Sequence, residues 1–468
     1  MRRLYSIVIL STICSLVNGQ QIAEIIEYTP APGQFINTSM GSPEAAESLL
    51  NESGGLVSLG GYGGYIVLNF IEPLSNHPDN PYGVDFTIFG NAFSFWSEPG
   101  IVAVMKDENE NGLPDETWYE LAGSDHFFPN TIPDYLVTYT NPFSEKAADV
   151  HWGDNQGVTG LIKKNVFQNQ PYYPDPSVFL SIGESECKFT GRRIMPVLDF
   201  SNPQQGVSYS RSFGYADNNV RIDPQNSLPD NPYTTEVENS GGDAMDIAWA
   251  IDESGQYVEL DKIDFLKIYT SVNADGGILG ELSTEISLIK DVNPSVGYPI
   301  IEKFISVKGL PSKIIPDAYA LEYSVFFGGR YDEDETVTWT VSESDSRIED
   351  NYYLVADSPE QLTLTATLDS DPSVNTSFTT EVYMPDSKSL IPEAEISIYP
   401  NPASDFIIIE GAKQGKIELI SSLGKVVFEG DSEAGIIHIN VNTYPEGLYF
   451  LRVRETNKTK NYKFIIQR

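Results

Sequence analysis

Short runs in which apolar and polar positions alternate recur along most of the chain. Ile66, Leu68 and Phe70 share one face of such a run while Tyr65, Val67 and Asn69 share the other, and Val84, Phe86 and Ile88 alternate in the same way with Asp85, Thr87 and Phe89. A period of two is the spacing of a strand, and clusters of Gly, Pro, Asn and Asp between the runs supply turns. Asp85 falls on the outward face of its run. Helical spacing is scarce: residues 43–50 form the best candidate, with Ser42 as N-cap and Pro43 at the first helical position. The pattern predicts an all-β protein of the sandwich or jelly-roll kind.

Breaks in the pattern divide the chain. Arg2 and Arg3 precede an apolar run from Leu4 to Val17, which predicts a secretory signal over residues 1–19. No later run reaches the ~20 apolar residues of a spanning helix, so no membrane span is expected. Residues 20–290 form the first β domain. A strand ends near Asp291, and residues 291–384 have the length and strand spacing of an immunoglobulin-like sandwich with Trp339 as its core aromatic. Residues 385–395, with Pro385 and Pro392, read as a linker, and residues 396–468 as a small third β-sandwich. Cys14 lies in the leader, which leaves Cys187 alone in the mature chain as a strand-core residue with no disulfide partner.

Charge narrows the function. The 468 residues carry a net charge of −38, concentrated in residues 20–390, where 57 acids face 18 basic residues; residues 391–468 hold 10 and 9. Such an acidic surface repels phosphate backbones, so nucleic acid is excluded as a partner. Residues 107–116 contain the pattern D-x-N-x-N-G. A hard cation such as Ca²⁺ takes six to eight oxygens, and a chain that curls at a glycine presents alternate residues to one point. Asp107, Asn109 and Asn111 fill the alternate positions, Leu113 offers its carbonyl, and Asp115 or Glu116 closes the shell. Trp118 stands where an EF-hand has its bidentate Glu, with Glu120 as a substitute, so Ca²⁺ here stabilises a β protein without EF-hand switching.

Aromatic residues crowd other loop-like segments. Trp152, Asp154, Tyr172 and Tyr173 together suit a face that stacks on a sugar ring or a flat macrocycle and orients it by hydrogen bonds. Phe93, Phe95 and Trp96 form a second group, and the turn at Gly60 to Gly64 lacks the helix and Lys-Ser/Thr pair of a phosphate loop. Four histidines without zinc spacing, no G-x-S-x-G elbow and a Cys187 without a basic neighbourhood beyond Lys188 argue against catalysis. A carboxylate pair of the glycosidase kind stays open, because the separation of such a pair is spatial. The readings are therefore a non-catalytic ligand-binding module, a carboxylate-dependent glycoside hydrolase, or a structural adhesin that binds a partner protein.

Two resemblances add to this. Tyr399-Pro400-Asn401-Pro402, Ser421-Ser422-Leu423-Gly424-Lys425, Pro445-Glu446-Gly447-Leu448-Tyr449-Phe450-Leu451 and the Lys-rich close resemble the type A C-terminal sorting domain of the type IX secretion system of Bacteroidetes. That implies contact with the type IX machinery, export across the outer membrane, removal of the domain, and release or surface attachment. The segments 60–68, 84–93, 107–123 and 242–270 resemble secreted bacterial jelly-roll surface proteins, some associated with vitamin B12 uptake. The resemblance implies a galactose-binding-like sandwich over residues 20–290 that captures a glycan or a cobalamin-like ligand.

Overall fold

The computed structural model describes residues 22–51, 55–76, 83–93, 95–200, 206–219, 242–292, 303–342 and 344–384, and most of 397–466. The signal, the 385–395 linker and Pro400 to Pro402 lie outside the described residues. The chain is β throughout, with its strands gathered in several sheets. Where helical spacing is expected, an α-helix spans Pro43–Glu47, and the Ser42 hydroxyl accepts from the Ala45 N–H at 3.3 Å.

A six-stranded antiparallel sheet organises the first domain, in the order Ile22–Thr29, Tyr65–Ser75, Lys262–Thr270, Gly100–Met105, Tyr119–Leu121 and Ala250–Ile251. Its central strand Gly100–Met105 is buried at every residue. The sheet must therefore be covered on both faces, which explains why Ile101 to Met105 are continuously apolar rather than alternating. On one face Ile66, Leu68, Val102 and Leu266 pack with Phe86, Ile88 and Met245 of a three-stranded sheet. On the other face Tyr65 meets the core of a four-stranded sheet formed by Glu186–Arg193, Ile132–Thr140, Val150–Asp154 and Thr159–Ile162, where Cys187 is buried as expected. Asp85 corrects the alternation argument. It is 2% exposed, and its Oδ2 accepts the Ile247 N–H at 2.9 Å, so it caps a buried backbone donor instead of facing water.

The second sandwich occupies residues 303–382. Trp339 lies in its core, 3% exposed and edge-on to Phe378. This module is docked on the first domain: the described residues up to Tyr383 form one compact unit. Phe213 of the first domain touches Trp249, Phe304 and Phe326, and the Phe127 and Tyr331 rings stack 4.3 Å apart. Arg330 donates to the Ala248 carbonyl at 3.0 Å and pairs with Glu259 at 2.9 Å.

Residues 384–468 form the second compact unit. A three-stranded sheet (Ser397–Tyr399, Phe406–Ala412, Gly435–Asn440) and a four-stranded sheet (Val426–Ser432, Gly415–Ser421, Gly447–Glu455, Lys458–Ile466) enclose Ile407, Ile409, Leu419, Leu451 and Val453.

Candidate functional sites

The 107–116 loop curls as its spacing predicts. Asp107 Oδ1 and Oδ2 accept from the Asn111 and Gly112 N–H groups at 3.1 and 2.8 Å, and Asn111 Oδ1 accepts from the Leu113 N–H at 2.7 Å. Gly112 has φ +73°, a conformation that a side chain would strain. The Asn109 and Asn111 amides lie against the Asp115 carboxylate at 3.1–3.4 Å, and Glu116 Oε1 accepts from the Asn109 N–H at 3.3 Å. Glu116 Oε2 is buried and meets no hydrogen-bond partner among the described residues. The Leu113 carbonyl accepts from the Asp115 N–H at 3.0 Å. Glu120 is committed elsewhere, to Arg192 at 2.6 Å and to the Tyr269 hydroxyl at 2.5 Å, which removes it as a closing ligand. The loop acids do not converge fully: among the described residues, the acids whose oxygens all come within 4.8 Å of one another are three others.

The aromatic set does not form one exposed face. Tyr172 and Tyr173 are 1% and 4% exposed and belong to the core beneath the four-stranded sheet, with Trp152 packed against its edge. Asp154 accepts the Tyr135 hydroxyl at 2.6 Å and holds its own turn through the Gln156 and Val158 N–H groups. Tyrosines bury readily when their hydroxyls find acceptors, and Tyr173 donates to the Gly183 carbonyl at 2.7 Å.

Tyr173 nevertheless reaches a groove of about 690 Å³ that runs between the 141–145 and 171–179 loops and the start of the Pro43 helix. Phe143 and Val178 line it at 74% and 49% exposure. Phe143 has φ +51°, held by the Asn141 Oδ1 acceptor at 2.8 Å from its N–H. A bulky residue is uncommon in that region, and with this backbone conformation the Phe143 ring lies exposed against the groove. Glu44, Glu145 and Asp175 also line the groove, without a Lys, Arg or His.

The third feature is one that sequence reading misses. Glu98, Asp217 and Glu285 are 9%, 0% and 1% exposed, and an oxygen from each lies within 4.8 Å of the others. Asp217 Oδ1 accepts from the Asn91 and Ala92 N–H groups at 2.7 and 2.8 Å, and its Oδ2 accepts from the Glu285 N–H at 2.9 Å. A Cβ on Gly90 would come within 2.1 Å of Asp217 Oδ1, so glycine is required there. Glu98 Oε1 accepts from the Ser283 N–H at 3.0 Å, and Glu285 Oε1 accepts the Ser58 and Ser283 hydroxyls at 2.8 and 2.5 Å. Burial, and then the neighbouring carboxylates, push Glu98 and Asp217 well above the ordinary carboxylate range; burial raises Glu285 to about 7 against the pull of its serine donors. The available signal is local and partial: Glu98 and Glu285 stand between small or apolar residues, in Ser97-Glu98-Pro99-Gly100 and Thr284-Glu285-Ile286, whereas Asp217 runs into Asn218-Asn219.

The body is followed by a second compact β unit whose acidic and basic residues nearly balance. The family model for the secretion system C-terminal sorting domain matches residues 397–467, and this segment is the type IX sorting tail. The protein is accordingly secreted or attached at the cell surface, and no helix among the described residues is long and apolar enough to cross a membrane. No curated protein matches the chain. Among solved structures, dimeric latent PorU from Porphyromonas gingivalis aligns at 12% identity and TM-score 0.13, over 81% of this chain and 32% of that one. The BSP domain of a biofilm-associated protein aligns at 8% identity and TM-score 0.15, over 81% and 97%. Scores this low carry no inference about fold or activity.

Proposed function

We propose that the body is a non-catalytic ligand-capturing protein of the cell surface or medium, and that the groove beside Tyr173 takes an uncharged glycan or a cobalamin-like ligand. The observation that supports this best is the groove itself: its volume suits a small molecule, its rim offers an exposed aromatic ring, and its polar lining is acidic. An anionic ligand would meet like charge there, which favours neutral sugars. On glycan arrays and corrinoid panels the exported protein should retain a member of one class. Phe143→Ala should weaken that binding about tenfold, equivalent to ~1.4 kcal/mol, with an unchanged melting temperature because the ring is exposed. Unaltered affinity would place the site elsewhere, and release of reducing sugar would replace capture with hydrolysis.

The same reading gives the 107–116 loop a Ca²⁺ ion, with Asp107, Asn109, Asn111, the Leu113 carbonyl, and Asp115 or Glu116 as ligands. Supporting it are the curled backbone and the bare Glu116 Oε2. Added Ca²⁺ should raise the melting temperature by mass action, by the equivalent of ~2.7 kcal/mol at a hundred times Kd. Asp107→Ala should remove the loop's share of that rise. An equal rise in wild type and variant rules the loop out.

A further inference from the structure

We propose that Glu98, Asp217 and Glu285 form a buried binding site for a hard divalent cation, Ca²⁺ in the first instance, independent of the 107–116 loop. Ca²⁺ binds oxygen at about 2.3–2.6 Å, so oxygens that touch one ion lie no more than about 5 Å apart. The three carboxylates meet that condition at 4.8 Å without rearrangement. All three ligands are carboxylates, which select Ca²⁺ or Mg²⁺ over softer metals.

Burial and mutual repulsion disfavour three charges here, yet each carboxylate also meets donors that a bound cation would leave in place. Backbone N–H groups donate to Asp217 and Glu98 and serine O–H groups to Glu285, and such donors favour the ionised state; Glu98 and Glu285 also hydrogen-bond each other, as a carboxyl on a carboxylate that shares one proton when no ion is bound. The charges that act most strongly on the three are other carboxylates. Three buried negative charges without a counter-ion are prohibitively costly, and a divalent ion neutralises most of that charge at once.

A fourth acid supplies independent support. Glu281 is 4% exposed and its charge acts on both Glu98 and Glu285. Its Oε1 accepts the Gln34 N–H at 2.6 Å, while Oε2 is buried and meets no donor among the described residues. A buried carboxylate oxygen without a donor is rare unless an ion or water serves it. The site would join three segments far apart in sequence: the entry to the Gly100–Met105 strand, the turn that follows Ala216, which bridges to Gly100, and the Glu285–Ile286 strand on Val57–Ser58.

The test uses the full-length protein stripped of metal and titrated with Ca²⁺ and with Mg²⁺, with bound ion counted by equilibrium dialysis. Glu98→Gln/Glu285→Gln keeps the shape and an acceptor oxygen on each side chain but removes two charges. This variant should bind one Ca²⁺ fewer per chain than wild type, and in chelator it should melt no lower than wild type because the buried repulsion is gone. Asp107→Ala should keep the ion that the double variant loses, so failure of the loop reading and failure of this one are separable. Identical stoichiometry in wild type and double variant overturns the proposal. If the double variant does not fold, anomalous scattering from wild-type crystals soaked in Tb³⁺ decides: a peak among the three carboxylates supports the site, and its absence there overturns it.

Discussion

A chain cut after Tyr383 should stay in the periplasm, while the full-length protein reaches the cell surface or the medium. The expected effect is close to complete, because the sorting tail matched over residues 397–467 lies wholly within the removed part. The cut is also structurally mild. Residues 384–468 form a compact unit of their own, with a core of Ile407, Leu419, Leu451 and Val453 supplied from within it. The body's core residues, Trp249 and Phe326 among them, come from before Tyr383. The truncated protein should therefore keep its cooperative melting transition and lose only its destination. Fractionation with an antibody to the body, in a strain with an intact type IX system, measures this. The exported form should also be lighter than the full chain by about the mass of residues 1–19 and the tail. Appearance of the truncated chain in the medium would detach export from this domain.

What the sequence discloses and what it conceals follow from how local each feature is. The Pro43 helix, the strands at residues 65–70 and 86–89 and the curled 107–116 loop depend on neighbours within a few positions, and the structure has them as their residue patterns dictate. Trp339 as a sandwich core follows from alternation alone. Asp85 escaped because a period of two distinguishes two faces but cannot show that both are covered; in a layered body the second face is also interior. Tyr172 and Tyr173 escaped for a related reason. Their segment reads as a loop, yet a four-stranded sheet lies over it, and only the Tyr173 edge reaches a groove. The buried acids escaped most completely. Glu98, Asp217 and Glu285 are far apart in sequence, and nothing in a linear reading brings their oxygens together. The small and apolar neighbours of Glu98 and Glu285 mark those two as unusual but do not place them beside Asp217.

Phe213→Ala should be the most destabilising single change in the body, by about 3–5 kcal/mol. The side chain is 4% exposed and lies where two sandwiches meet: its ring is 4.9 Å from Trp249 in the first domain and 4.9 and 5.6 Å from Phe326 and Phe304 in the second. Truncation leaves a cavity bounded by three rings that are themselves fixed, Phe304 and Phe326 being stacked on each other at 5.3 Å. Rings anchored from both sides cannot close the gap, so the loss should fall near the upper end of the range. The consequence also separates two pictures of the 303–382 module. If it were a free spacer, chemical denaturation would show two independent transitions in wild type, and Phe213→Ala would move only one. In the docked arrangement wild type unfolds residues up to Tyr383 in one transition, and Phe213→Ala either lowers that midpoint or splits it, with the second sandwich released first. Phe378→Ala, which removes a ring packed edge-on against Trp339 inside the second sandwich and not against Phe213, supplies the comparison. It should weaken the module without undocking it, because Phe127, Tyr257, Arg330 and Tyr331 still bridge the two domains. Two wild-type transitions, or equal loss of cooperativity in both variants, would show that the aromatic contact does not couple the domains.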